Sequence, residues 1–260
     1  LLKINSFVRM HNLVIDIGNT NNKLAVFHDR ELVEYQVIKK ITPQVLRSLI
    51  NQYKIDCSTV SSVAGELNEV IDVLKEHTNY LGFSTGLNTG IKNHYGTPES
   101  LGLDRWAKII AANHYYSGRD CFIIDAGTCI TYDLLNNQAE YYGGSISPGI
   151  GMRFEAVHHY TGRLPKVGWN GEAAEIPQGT NTISAIKNGV LQGVVNEITG
   201  FITYQNERNK GLTVLITGGD AGFLLEQLKN SIFAPQIIHD PYLVLKGLNE
   251  VIAFEYVQKD

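Results

Sequence analysis

The chain states one phrase twice, and the repetition limits what it can fold into. Val14-Ile15-Asp16-Ile17-Gly18-Asn19-Thr20 returns further on as Ile123-Ile124-Asp125-Ala126-Gly127-Thr128. Each copy is an apolar run ending in an aspartate, then a glycine and a small hydroxyl or amide residue. Each leads into a second apolar stretch, Lys23–Phe27 in the first case and Ile130–Leu134 in the second. Apolar runs split by a glycine turn read as strand, tight turn, strand. Backbone N–H groups at such a turn can face a phosphate, with the carboxylate beside them. A single copy also fits a plain hairpin whose Asp, Gly and Asn merely satisfy the turn. Two copies point instead to two related lobes sharing one nucleotide.

The bulk numbers allow this. A chain of 260 residues has room for two domains of about 100–150 residues each. With 43% hydrophobic and 18% charged residues, the composition is that of an ordinary globular protein. A net charge of −4 without a basic run gives no general pull toward nucleic acid. No apolar stretch approaches the ~18 residues of a membrane span. The N-terminus lacks a signal-like apolar core, so no membrane association and a cytoplasmic location are expected. Residues 1–12 read as an extension or tail, with Met10 a candidate start. Cys57, Cys121 and Cys129 are odd in number and widely spaced, which argues against a zinc site or a disulfide framework. Cys57 and Cys121 read as small buried hydrophobes.

Strand-like runs at Leu13–Ile17, Lys23–His28 and Leu32–Ile38 open the first lobe. Thr42-Pro43 starts a helix, since Thr can cap and Pro suits the first helical position. A buried run Thr59–Val63, a helix from Glu66 to His77 and a strand Tyr80–Phe83 complete a β-β-β-α-β-α-β order. Residues 87–100 read as loop, and a helix follows from Leu103 to Tyr116. The next lobe begins the same way, with strands Cys121–Asp125, Ile130–Leu135 and Glu140–Ile146 and a helix Pro148–His158. Tyr160–Gln178 reads as irregular, placed to cover a site or a subunit contact. Asn181–Tyr204 is a long helix, with Ile183, Ile186, Val190, Val194 and Ile198 at helical spacing. Strand Leu212–Ile216, helix Gly219–Leu228, strand Pro235–Ile238 and a last helix Pro241–Ala253 close the chain. The near-repeat of element order supports duplication, with an N-terminal lobe at 1–117 and a C-terminal lobe at 118–260.

Three segments could carry chemistry. In Asp16 to Lys23, Gly18 permits close backbone N–H donors while Asn19, Thr20 and Lys23 offer side-chain donors to phosphate. Asp16 suits magnesium held through waters. The chain has no G-x-x-x-x-G-K-[ST] loop, so a P-loop is excluded. Thr217-Gly218-Gly219-Asp220 could let a base or ribose lie against the backbone, or could be a plain strand-to-helix turn. In Gly102-Leu103-Asp104-Arg105, a carboxylate at the mouth of a helix can accept a hydroxyl proton while its neighbour holds an anion. Such an Asp-Arg pair, taken alone, is more often a solvated surface pair.

Four motifs in order, Asp16-Ile17-Gly18-Asn19-Thr20, Gly102-Leu103-Asp104-Arg105, Ile124-Asp125-Ala126-Gly127-Thr128 and Gly144-Ser145-Ile146-Ser147-Pro148-Gly149, resemble those of the type III pantothenate kinases. That family belongs to the acetate/sugar kinase, heat-shock chaperone ATPase and actin superfamily. The resemblance runs from Leu13 to the C-terminal helix. It implies an α/β fold of two duplicated ribonuclease-H-like (actin-like ATPase) lobes with a nucleotide cleft between them, and a homodimer. It implies transfer of the ATP γ-phosphoryl group to the primary hydroxyl of pantothenate, the first step of coenzyme A biosynthesis, with Mg²⁺ and a monovalent cation, K⁺ or NH₄⁺. By motif position, Asp104 is the proton acceptor, Asp125 the potassium ligand and Thr128 an ATP contact. Asp16, Ile17, Gly18, Asn19, Thr20, Asn21, Asn22 and Lys23 form the phosphate loop, with Asp16 serving magnesium. Pantothenate is assigned to Tyr95, Gly102, Leu103, Asp104, Arg105 and Thr182. His94 competes with Tyr95 for its position, and Thr180 with Thr182. A kinase of another small alcohol or acid, and a transcription-regulating relative without catalysis, are the alternatives on this fold.

Overall fold

The computed structural model describes residues 10–62, 68–171 and 175–257. The first nine residues of the expected tail lie outside these. So do Val63 of the expected strand and the expected helix start at Glu66. The chain divides into two compact units, each built on one mixed sheet.

The first unit holds strands β1 (His11–Ile17), β2 (Asn22–His28), β3 (Glu31–Ile38), β4 (Cys57–Ser62) and β5 (Asn79–Gly82) in the order β3-β2-β1-β4-β5. β1 pairs antiparallel with β2 and parallel with β4, so β1 is interior to the sheet. Its Leu13, Val14 and Ile15 are fully buried, which explains a continuous apolar run in place of alternation. Helix α1 (Pro43–Tyr53) starts as its sequence dictates: Thr42 accepts from the Val45 N–H, and Pro43 opens the first turn. Lys54 ends it in a left-handed conformation at φ 50°. Helix α2 (Asn68–His77) and helix α3 (Leu103–Tyr115) complete the central part of this unit.

The second unit repeats the plan. Its strands are β6 (Lys92–Asn93), β7 (Cys121–Ala126), β8 (Cys129–Leu135), β9 (Glu140–Pro148), β10 (Thr213–Thr217) and β11 (Ile237–His239). They run β11-β10-β7-β8-β9-β6. β7 pairs antiparallel with β8 and parallel with β10, as β1 does with β2 and β4. The ribonuclease-H-like order is therefore present twice, and the expected duplication holds strand for strand. β6 is an addition that the sequence concealed, two residues in a loop-like stretch pairing parallel with β9. Helices α4 (Ile150–His159), α5 (Thr182–Asn206) and α6 (Ala221–Leu228) pack into its core through Phe154, Ile186, Val190, Val194, Ile198 and Phe223.

The last helix, α7 (Leu243–Val257), departs from the expected boundaries. A C-terminal lobe of 118–260 would include it, yet residues from Leu243 onward belong to the first unit. The cause lies in its side chains and in one glycine. Gly247 packs so closely on the Ala107 carbonyl that a Cβ would stand 1.8 Å away. Asn249, 1% exposed, accepts from the Asn12 amide at 2.9 Å and donates to the Asp29 carbonyl at 2.7 Å. Glu250 takes both a two-pronged bond from Arg30, at 2.8 and 3.1 Å, and His114 Nδ1 at 3.3 Å. A buried carboxylate with several charge-assisted partners is strongly tied to one docking position. No helix among the described residues is long and apolar enough to cross a membrane.

Candidate active site

In the first unit the doubled phrase forms the β1–β2 hairpin. Asp16 pairs in register with Lys23 across it, and their charged atoms lie 3.9 Å apart. Four residues, Gly18 to Asn21, make the turn, closed by a Gly18 N–H to Asn21 carbonyl bond of 3.3 Å. A Cβ on Gly18 would sit 3.1 Å from that carbonyl, so the tightness of the turn uses the glycine. Asp16 is 8% exposed, a carboxylate at a strand end with one cation beside it. A carboxylate is the hard oxygen donor that a divalent cation held through water uses.

Gly102, Leu103, Asp104 and Arg105 open α3. The Gly102 carbonyl accepts from Trp106 N–H at 3.0 Å, the first bond of the helix. The first turn is where the helix dipole favours a carboxylate. A Cβ on Gly102 would come within 2.6 Å of Asp104 Oδ1, so glycine makes room for the carboxylate to lie back over the turn. Arg105 is 4% exposed. This is not the solvated surface pair that Asp-Arg on a helix usually makes.

Lys108, which the sequence reading passed over, lies one turn on with its Nζ 3.3 Å from Asp104 Oδ2. Burial pushes the Asp104 carboxyl upward, but Lys108 and then Arg105 outweigh it and hold the group below the usual carboxylate range. Asp104 is thus ionised at neutral pH and can accept a proton.

In the second unit the matching β7–β8 hairpin has a shorter turn, Gly127 and Thr128. Two other segments close on it. Gly218, at φ 97°, packs so tightly that a Cβ would be 2.3 Å from the Ala126 carbonyl and 2.5 Å from Asp125 Oδ1. Asp220 N–H donates to the same Ala126 carbonyl at 2.9 Å. The Thr217-Gly218-Gly219-Asp220 segment is thus more than a strand-to-helix turn, because it brings its backbone against the Asp125 carboxylate. From the other side Gly149 N–H donates to the Thr128 carbonyl at 3.1 Å. A Cβ on Gly149 would meet the Gly127 and Thr128 carbonyls at 2.2 and 2.4 Å. A carboxylate among close-packed backbone carbonyls is a donor set suited to a weakly hydrated monovalent cation. Among the described residues, no three His, Cys, Asp or Glu stand together as a metal centre.

A second cluster escaped the sequence reading. Glu197 on α5 accepts from Tyr132 Oη at 2.7 Å, Ser147 Oγ at 2.6 Å and Arg153 Nη2 at 2.7 Å. Arg153 Nε also donates to the Pro148 carbonyl at 2.8 Å. The cluster pins the end of β9 at Ser147 and Pro148, next to the Gly149 that presses on Thr128. Burial raises the Glu197 carboxyl, while the donations from Ser147, Tyr132 and Arg153 carry it below its ordinary value. Burial and the Glu197 hydrogen bond push the Tyr132 phenol up.

Tyr95 and His94, the two competitors, part company. The Tyr95 ring lies against Gly143, where a Cβ would come within 2.8 Å, and stacks near buried Tyr141. His94 stacks at 4.5 Å on Tyr142, which is 64% exposed. The structure separates their faces without assigning a substrate to either. Thr182 is the first residue of α5, behind an Asn181 cap that exchanges bonds with Ser184. Thr180 and Thr182 are both exposed. No disulfide joins the three cysteines; Cys57 and Cys121 are buried as expected, and burial pushes the Cys121 thiol up to about 12.

Two ribonuclease-H-like units, each with an Asp-x-Gly hairpin in its central strands, define the acetate/sugar kinase, heat-shock chaperone ATPase and actin superfamily. Solved structures agree on the fold. A Campylobacter jejuni protein described as a Baf family transcriptional activator superposes with a TM-score of 0.60 at 24% identity, covering 94% of this chain and 99% of that one. The activator of 2-hydroxyisocaproyl-CoA dehydratase from Clostridium difficile, with bound ADPNP, superposes at 0.53 and 14% identity, covering 96% of each chain.

Sequence comparison is more specific. The family model described as Type III pantothenate kinase matches residues 12–204. The type III pantothenate kinase of Bacteroides fragilis (strain YCH46) is 39% identical over 245 residues, 94% of this chain and 98% of that protein. That of Christiangramia forsetii is 39% identical over 249 residues, 95% of this chain and all of its own length. The chain belongs to the type III pantothenate kinase family.

Proposed function

We propose that the protein phosphorylates pantothenate to 4′-phosphopantothenate at the expense of ATP, with Asp104 as proton acceptor. The observation that carries this reading is a partly buried Asp104 at the start of α3, its Oδ2 held by Lys108 Nζ at 3.3 Å, with buried Arg105 beside it. Phosphoryl transfer demands positioning and charge neutralisation more than covalent chemistry from the protein. Asp104 accepts the proton of the primary hydroxyl as that oxygen bonds phosphorus, and Arg105 balances anionic charge with its planar fork.

The Asp16–Lys23 hairpin supplies backbone and side-chain donors to the ATP phosphates, and Thr128 adds a contact from the other hairpin. Asp16 would hold magnesium through water, and Asp125 with its neighbouring carbonyls a potassium or ammonium ion. When bound, these cations neutralise phosphate charge. Gly102, Leu103, Arg105, Tyr95 and Thr182 are assigned to pantothenate, and the enzyme is assigned a homodimeric, cytoplasmic state. Purified protein given pantothenate, Mg·ATP and potassium should yield phosphopantothenate, with less product when sodium replaces potassium. Product from another small hydroxy acid, with none from pantothenate, would refute the substrate and spare the kinase class.

A further inference from the structure

Asp104 offers its two oxygens to different surroundings. Oδ2 lies 3.3 Å from Lys108 Nζ, while Oδ1 lies over Gly102 in space that a Cβ would invade at 2.6 Å. The Lys108 side chain is 0% exposed and that of Asp104 is 29% exposed. An ammonium removed from water costs several kcal/mol unless an opposite charge holds it. For packing alone, an apolar residue at this inward position would serve with no charge to bury. The lysine therefore stands as a counter-charge behind the carboxylate, on the side away from solvent.

We propose that Lys108 is a positioning residue for phosphoryl transfer: it fixes one oxygen of Asp104 and keeps the carboxylate ionised, leaving the other oxygen to take the proton of the substrate hydroxyl. The inference rests on Asp104 being the proton acceptor. In the step, the hydroxyl O–H bond breaks as its oxygen bonds the γ-phosphorus, and the bond from γ-phosphorus to the bridging oxygen of ADP breaks with its electron pair. The proton passes to Asp104 Oδ1, on a side chain 29% exposed, from which water can take it.

The charges bearing on the Asp104 carboxylate are Lys108 and Arg105, both on α3. Helix α7 packs its Gly247 on Ala107 and carries Lys246 and Glu250. Glu250 is engaged by Arg30 and His114, the latter about 15 Å along α3 from Asp104 by helical rise. Without Lys108, burial of Asp104 is opposed by Arg105 alone. The carboxyl would then protonate at higher pH, and the acid limb of the rate profile would move up.

The test is the pH profile of kcat for the whole enzyme, with wild type, Lys108→Met, Lys108→Gln, Lys108→Arg and Asp104→Asn. An opposite charge at this distance is worth about one to three pH units. The acid limb should therefore rise by about one unit or more in Lys108→Met, with the same direction in Lys108→Gln should the methionine variant not fold. Lys108→Arg, which keeps the charge, should hold the limb near wild type. A purely structural lysine would lower the rate equally at every pH, and that result, or an arginine variant shifted as far as methionine, overturns the inference. Full activity in Asp104→Asn would overturn the proton-acceptor reading itself. A dead Asp104→Asn with unmoved Lys108 limbs overturns the lysine role alone.

Discussion

Gly218 and Gly219 are adjacent, and the structure gives them opposite tolerances. Gly218 has φ 97°, and a Cβ there would meet the Ala126 carbonyl at 2.3 Å and Asp125 Oδ1 at 2.5 Å. Gly219 has nothing within 4 Å of such a Cβ. Alanine at Gly218 meets two separate costs. Left-handed backbone costs an L-residue about 1–2 kcal/mol, and forcing a methyl into packed atoms about 1–3 kcal/mol. The sum, about 2–5 kcal/mol, is a large part of the ~5–15 kcal/mol that holds a domain together. At about 2–4 °C per kcal/mol for a chain near this size, the melting temperature should drop by roughly 4–20 °C. Gly219→Ala should melt with the wild type.

The clash falls on Asp125, so Gly218→Ala should also raise the potassium concentration needed for half-activation. Differential scanning fluorimetry and a potassium titration of phosphopantothenate formation read both effects. Equal melting of the two alanine variants would refute the packing argument. A lower melting temperature with unchanged potassium response would separate the fold from the proposed cation role of Asp125.

Glu197→Gln should loosen the end of β9 at Ser147 and raise KM for ATP in steady-state kinetics. The Glu197 carboxyl lies below its ordinary value in the folded protein. Its stabilisation is thus full above the unfolded glutamate value near ~4.3 and is lost as pH falls through the folded value. Thermal melts across that acid range should show a steeper loss for wild type than for Glu197→Gln. Glu250→Ala should cost about 1–3 kcal/mol in urea unfolding, the worth of charge-assisted hydrogen bonds, because it unties α7. Arg30 is 52% exposed on its side chain and can return to water once its partner is gone.

The doubled hairpin was legible because it is local. A run of apolar residues, an aspartate and a glycine specify strand and turn without reference to the rest of the chain. From two such hairpins the duplication of the lobes followed, while the strand order within each sheet came from the structure. What escaped depends on distant pairing. β6 is two residues long and exists because β9 offers an edge. The docking of α7 rests on Asn12 and Arg30, at the far end of the sequence from Asn249 and Glu250. Little in a string of letters marks Lys108 as buried, since lysine on a helix is nearly always solvated. Its one clue was an acidic residue four positions earlier on a helix whose neighbours are Trp106 and Ile109. Glu197, Arg153 and Ser147 likewise meet through folding, with no shared motif to announce them.

Asp104 is proposed to take the proton in transfer from ATP to pantothenate. The most direct measurement of that role is the turnover of Asp104→Asn beside its affinity for pantothenate, by product assay and calorimetry. In Asp104→Asn, kcat should fall about 10²–10⁴-fold, the usual worth of a positioned base, with pantothenate still bound and a lowered melting temperature, because buried Lys108 loses its counter-charge. Turnover near the wild-type rate in a folded Asp104→Asn protein would contradict that role.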